Sequence, residues 1–265
     1  MSDEKRYLKL HLIVLALVVI AELIGTKSYK LGPGTIVLLP MLYALLLGLL
    51  TGPKFLKIID KEDMNAAEGL ITVSVMLLMA KYGTNIGPTL PLIIKSGPAL
   101  ILQEFGNLGT VLLGMPFALL LGLRREAIGA TFSIAREPNL AIISDMYGLD
   151  SPEGRGVMGV YVAGTVFGSI FFGLFAGFAA TALPLHPYAL AMASGVGSAS
   201  MMSAAVGALV EIFPNMAEEI TALGAASNLA TGADGVYMSI FMALPMCEWI
   251  YRKIIGDRAE EVVKG

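Results

Sequence analysis

The stretch GATFSIAREPNLAIISDMYG, residues 129–148, decides how this chain is read. It carries Ser133, Arg136, Glu137, Asn139 and Asp145 between two long apolar segments, with Pro138 in its middle. Each charge at bilayer depth costs roughly 2.5–3.5 kcal/mol on insertion scales. Pro138 removes a backbone donor and biases Glu137 away from helical geometry. Such a segment persists only where protein or water, not lipid, surrounds it. It reads as a discontinuous helix lining a polar site.

Composition sets the surroundings. Of 265 residues, 56% are hydrophobic and 15% charged, with a mean hydropathy of +0.75; soluble domains are about 25% charged. The expectation is an all-α polytopic membrane protein, a single domain over residues 1–265 with about eight to ten transmembrane spans. The one cysteine, Cys247, excludes an intramolecular disulfide and a cysteine-based zinc cluster. His11 and His186 have no metal-ligand spacing, so no metal or cofactor is expected. No cleavable signal is evident.

Working outward, residues 8–25 form a first span, entered from the basic side by Lys5, Arg6 and Lys9. A turn at LGPG precedes a second span over 35–51. Lys54, Lys57 and Lys61 mark the next loop as cytoplasmic, which places the N-terminus inside as well. Residues 64–82 are a third span. YGTNIGPTLP after it reads as an external loop, or else as an unwound segment contributing Thr84 and Asn85. The span 98–122 holds Gln103, Glu104, Asn107 and Thr110; Glu104 and Asn107, three apart, share a face.

Beyond the opening stretch, residues 157–183 carry a glycine seam suited to close helix packing. After PLHP comes GVGSAS, with Gly197, Ser198 and Ser200. It lacks the lysine of a phosphate loop, but its glycines let the backbone unwind toward a ligand. Asn228, Thr231 and Asp234 follow at spacings of three on one helical face, although Asp234 after Gly232 is also readable as a helix cap. The tail from Arg252 reads as cytoplasmic, yet nine apolar segments would put it outside.

Laying Gly129 on Gly195 also lays Asp145 on Glu211, Tyr147 on Phe213, Glu153 on Glu219 and Thr165 on Thr231. The repeat units lie near 127–183 and 193–251. Interrupted hydrophobic segments in corresponding positions of two halves point to a transporter's binding site.

These stretches, followed by LGAASNLATGADGVYMSIFMALPM, resemble bacterial secondary transporters with inverted repeats: the 2-keto-3-deoxygluconate permease, the lysine exporter and the sodium:glutamate symporter. The SNL of Ser227, Asn228 and Leu229 is similar to the exporter's second half; the exporter's paired acids after it are not reproduced, since Asp234 comes later with Thr231 between. The whole chain more closely resembles a family of small prokaryotic membrane proteins of unassigned function. The resemblance implies crossing discontinuous helices, a midplane site and transport driven by an ion gradient.

The functional expectation is a secondary active transporter, not an enzyme. It would move a small anionic or zwitterionic metabolite (an organic acid, sugar acid or amino acid), coupled to H⁺ or Na⁺, in a prokaryotic plasma membrane. Arg136 would bind a substrate carboxylate through its planar fork, with Glu137 or Asp145 balancing charge. Glu104 is readable equally as a buried partner of Arg136 or as an ion-binding carboxylate. The remaining candidates are Asn107, Ser133, Asn139, Gly197, Ser198, Ser200, Asn228, Thr231 and Asp234. Expected partners are the small-molecule substrate, the lipid bilayer and a second copy in a homodimer; no nucleic acid is expected. The rival readings are a membrane-embedded enzyme on a lipid substrate and a channel or accessory subunit.

Overall fold

Helix α1 (Asp3–Ile24) opens the chain and stops at Gly25, whose φ of 69° is left-handed. The computed structural model describes residues 3–255 except 32 and 135; side chains at 3, 68, 69, 71, 72, 75, 78, 79, 82, 85, 136, 137, 165 and 166 are outside the described residues. That leaves out the side chains of Glu68, Asn85, Arg136, Glu137 and Thr165, and the tail from 256 onward. Among the described residues, one uninterrupted α-helix, Glu4–Ile24, is long and apolar enough to cross a membrane.

A hairpin of β1 (Lys27–Leu31) and β2 (Gly34–Leu38) follows, antiparallel, with Ser28 opposite Val37. It corrects the expected span over 35–51, because only α2 (Pro40–Thr51) of that segment is helical. The β-branched run Thr35, Ile36, Val37 favours a strand, and Pro40 starts the helix where no N–H is needed. β2 packs on a later helix, whereas β1 is exposed throughout.

α3 (Lys61–Lys95) starts at a capping box between Asp60 and Asp63 and runs straight through YGTNIGPTLP, with Pro88 and Pro91 inside the helix. The external loop is thereby corrected. Ile86, Leu92 and Ile93 pack against a hydrophobic core, and that burial offsets the backbone bonds the prolines remove. α4 (Gly97–Gly106) and α5 (Gly109–Leu120) divide the span 98–122 at Asn107 and Leu108. There the helix tightens to i+3 bonds, Leu108 N donating to Phe105 O at 3.2 Å and Thr110 N to Asn107 O at 3.3 Å.

The remaining elements follow one order twice. First come α6 (Glu126–Thr131), a break, α7 (Arg136–Tyr147), a turn, then α8 (Pro152–Ala163) joined to α9 (Ser169–Ala182) through the π-turn Gly164–Gly168. The second pass is α10 (Pro187–Ser194), a break, α11 (Ala199–Ile212), a turn, then α12 (Ala217–Met238) joined to α13 (Leu244–Ile255) through the π-turn Ser239–Ala243. The first break falls before Arg136, not at Pro138. Pro138 sits in the first turn of α7, where helical N–H groups have no intrahelical acceptor and proline is tolerated.

In the first broken pair α6 and α7 pack chiefly on α8; in the second α10 packs chiefly on α12, whereas α11 touches α12 but packs most extensively on α9. α9 lies along α11, where Gly173 brings it close to Ala204. Two cores result. One gathers Met115, Ile128, Phe132, Ile143 and Cys247 from α5 to α7 and α13; the other gathers Val37, Met202, Leu209, Ile220 and Leu223 from β2, α11 and α12. The continuous helix α12–α13 runs from the second core to the first, and the polar residues of α12 lie between them.

Candidate functional site

Glu104 sits in the last turn of α4, just before the break, and is 6% exposed. Asn107 Nδ2 donates to its Oε2 at 2.7 Å. Thr231 Oγ1, from the middle of α12, lies 2.9 Å from Oε1 and 3.1 Å from Oε2. Gln103 Nε2 reaches Oε1 more loosely at 3.4 Å. The spacing of Thr231 and Asp234 on one helical face brings the Asp234 carboxyl within hydrogen-bonding reach of Glu104 as well. Asp234 Oδ1 is buried and receives no hydrogen bond among the described residues. Beside the pair lies a cleft of about 500 Å³, lined by Leu100, Ile101, Phe105, Ala230, Ala233 and Met238 together with the two acids.

A second layer ties this cluster to the α10–α11 break. Ser227 Oγ lies 2.5 Å from Gln103 Oε1 and 2.7 Å from Met192 O. Asn228 Nδ2 donates to Gly195 O at 2.8 Å and Gly197 O at 3.1 Å, so it satisfies carbonyls that the break frees. Both glycines are required. Gly197 has φ 96°, and a Cβ on Gly195 would fall 2.3 Å from Ser227 Oγ.

The structure therefore gathers Glu104, Asn107, Thr231 and Asp234, with Asn228 and Gly197 one layer away. Ser198 caps α11 by accepting from Met201 N, and its hydroxyl lies 3.0 Å from that of Ser200. Asn139 is fully buried on α7, Ser133 is half-buried at the first break, and Asp145 is exposed. The exposure of Asp145 takes it away from this cluster. Gln103 and Ser227 complete the cluster; the sequence signal for them is that Gln103 lies four residues before Asn107, hence on its helical face, and that Ser227 opens the SNL motif.

Another buried polar group stands where α6, α7, α8 and α13 meet. Arg125, in the turn before α6, donates from Nε to Glu153 and from Nη2 to Glu248 Oε1 at 2.9 Å. Tyr147 donates its hydroxyl to the same oxygen at 2.8 Å, and the Arg125 guanidinium lies 5.7 Å from the Tyr251 ring centre. Here each acid has a basic partner.

Among the described residues the fold and site define a class: a helical protein with interrupted helices, one of which, α4–α5, meets α12 at a carboxyl pair of buried Glu104 and half-buried Asp234, with the α10–α11 break one layer away. The chain belongs to the family described as protein of unknown function DUF3100, whose model matches residues 19–253. That match spans every residue of the cluster. No curated protein and no solved structure matches the chain.

Proposed function

We propose that the chain is a polytopic membrane protein acting as a secondary transporter of a small anionic or zwitterionic metabolite, coupled to H⁺ or Na⁺, with its site at the interrupted helices. The observation that carries this reading is Glu104. It is buried, held by Asn107 beside one break and by Thr231 from another helix, borders a cleft, and has no basic partner among the described residues. Burying a carboxylate without a counter-charge is costly, so such a group is expected where it binds something.

Lipid contact is supported by the apolar side chains that face outward. Leu120 is 85% exposed and Leu113 79%, with Phe117, Phe171 and Phe241 also exposed; apolar surface of this extent is the mark of a membrane or partner contact. Taken through their breaks, α4–α5, α6–α7 and α10–α11 each comprise roughly twenty residues or more, the length a bilayer crossing needs. The resemblance to inverted-repeat transporters points the same way, because Ser227 and Asn228 of the SNL sit at the α10–α11 break.

The test is uptake by purified protein in proteoliposomes, screened over carboxylates, sugar acids and amino acids under a pH or Na⁺ gradient. Wild-type protein accumulates one class, and Glu104→Gln falls to the level of empty liposomes while remaining folded. Wild-type uptake by Glu104→Gln would remove the site from consideration. A product formed without any gradient would favour a membrane-embedded enzyme instead.

A further inference from the structure

We infer that Glu104 and Asp234 hold a single proton between them, and that this shared proton is the coupling ion of the site. The inference rests on the transporter reading for the word coupling, but the shared proton itself rests on geometry. Two carboxyl groups from different helices, α4 and α12, line the same cleft within hydrogen-bonding reach of each other, and the buried Asp234 Oδ1 receives no hydrogen among the described residues. Two carboxylates in contact offer acceptors only. A proton on either one supplies the missing donor, turns the contact into an O–H···O⁻ hydrogen bond and leaves one negative charge where two would stand.

The donor set around Glu104 favours a proton over a sodium ion. Asn107 and Thr231 direct hydrogens at both of its oxygens, and Gln103 adds a weaker contact. A carboxylate has about four lone-pair sites, so these donors leave few for a metal ion, and their N–H groups repel a cation. The oxygen of Gln103, which could have served as a ligand, is within 2.5 Å of the Ser227 hydroxyl. At the α10–α11 break, the carbonyls Gly195 O and Gly197 O accept from Asn228.

No positive charge competes for the pair among the described residues. α4 packs against α3, α10 and α12. Of the described basic side chains on α3, Lys61, Lys81 and Lys95 are all exposed, and α10 and α12 carry none. The other titratable groups described on those helices are Glu62 and Asp63 at the far end of α3, Tyr188 on α10, and Glu218, Glu219 and Tyr237 on α12. Releasing the proton therefore exposes two facing negative charges. Substrate or helix movement that separates α4 from α12 would couple to that release.

The experiment is infrared difference spectroscopy of the purified protein in lipid nanodiscs, titrated over pH in Na⁺-free buffer. A protonated-carboxyl carbonyl band is expected at neutral pH and lost at alkaline pH, shifted by ¹³C-labelled aspartate or glutamate in otherwise unaltered protein. Glu104→Gln and Asp234→Asn should each abolish it, and added NaCl should leave it where KCl does. Absence of the band from the wild type, its survival in either variant, or its loss on adding NaCl but not KCl overturns the inference. The isotope labelling needs no variant to fold. The readout needs neither substrate nor gradient: a shared proton without uptake would sink the transport reading alone, and uptake without the band would sink only this inference.

Discussion

Two acidic groups in this molecule, each with one buried carboxyl and one half-buried, are built on opposite plans. Glu153 and Glu248 face Arg125, with Tyr147 and Arg252 nearby, so their charge is matched where four helices meet. Glu104 and Asp234 face each other, surrounded by amides and a hydroxyl. The first arrangement is a fastening: removing a partner leaves a charge stranded. The second has no counter-charge among the described residues, and on the proposed reading a proton or ligand completes it.

Arg125→Ala tests the fastening and carries the largest expected stability effect. It leaves Glu153, 3% exposed, without its counter-charge and should cost about 3 kcal/mol, the low end of the range for a broken buried pair because Arg125 keeps 27% side-chain exposure. Thermal unfolding in detergent measures it, and uptake per folded molecule should be unchanged. An unaltered unfolding midpoint would merge the two regions into one kind.

Thr231→Val sharpens the other side of the comparison. The shape is nearly conserved and only the hydroxyl directed at both Glu104 oxygens is lost, so the expected cost is about 1–2 kcal/mol. Thr231→Ser should restore most of it. A neutral Thr231→Val, compared by the same unfolding assay, would show that Glu104 does not depend on α12.

The smallest effect concerns a third acid–base contact, at the N-terminal end. Lys9 donates to Asp63 and Arg6 to Glu62, joining α1 to the start of α3. The hydrogen bond from Lys9 outweighs burial and holds the Asp63 carboxyl below its ordinary range, aided by the Asp60 backbone N–H and the nearby Arg6 charge. A lowered folded value means the contribution is fully present above the ordinary aspartate range, about pH 4, and is lost as pH falls through the depressed value. The midpoint difference between wild type and Asp63→Asn should be constant near neutrality and shrink toward zero below about pH 4. A difference that grows on acidification would reverse the sign of this contact.

Much of this was legible from local pattern. The helical character, the interruption near 195–198, and the shared face of Glu104 with Asn107 follow from period, glycine placement and polar residues in apolar surroundings; the first interruption was legible too, but Pro138 drew it into what is the first turn of α7. Where the sequence misled, a tertiary contact outweighed a local signal. Pro88 and Pro91 argue for a loop until Ile86, Leu92 and Ile93 find a core to pack on. Thr35 to Val37 reads as the start of a span until β1 pairs with it. The Arg125 group was invisible because its arginine pairs with acids 28 and 123 residues away, at no helical spacing. The meeting of Glu104 with Thr231 likewise spans 127 residues, so the sequence offered both halves but not their contact.

The lone thiol of Cys247 gives the first core a built-in gauge of opening. It is 0% exposed, 3.6 Å from the Thr131 hydroxyl, and it is the chain's only cysteine. A maleimide can reach it only when α13 parts from α5 and α6, so the labelling rate, divided by that of a free thiol, reports the fraction of molecules in which this packing is open when reclosure outpaces labelling.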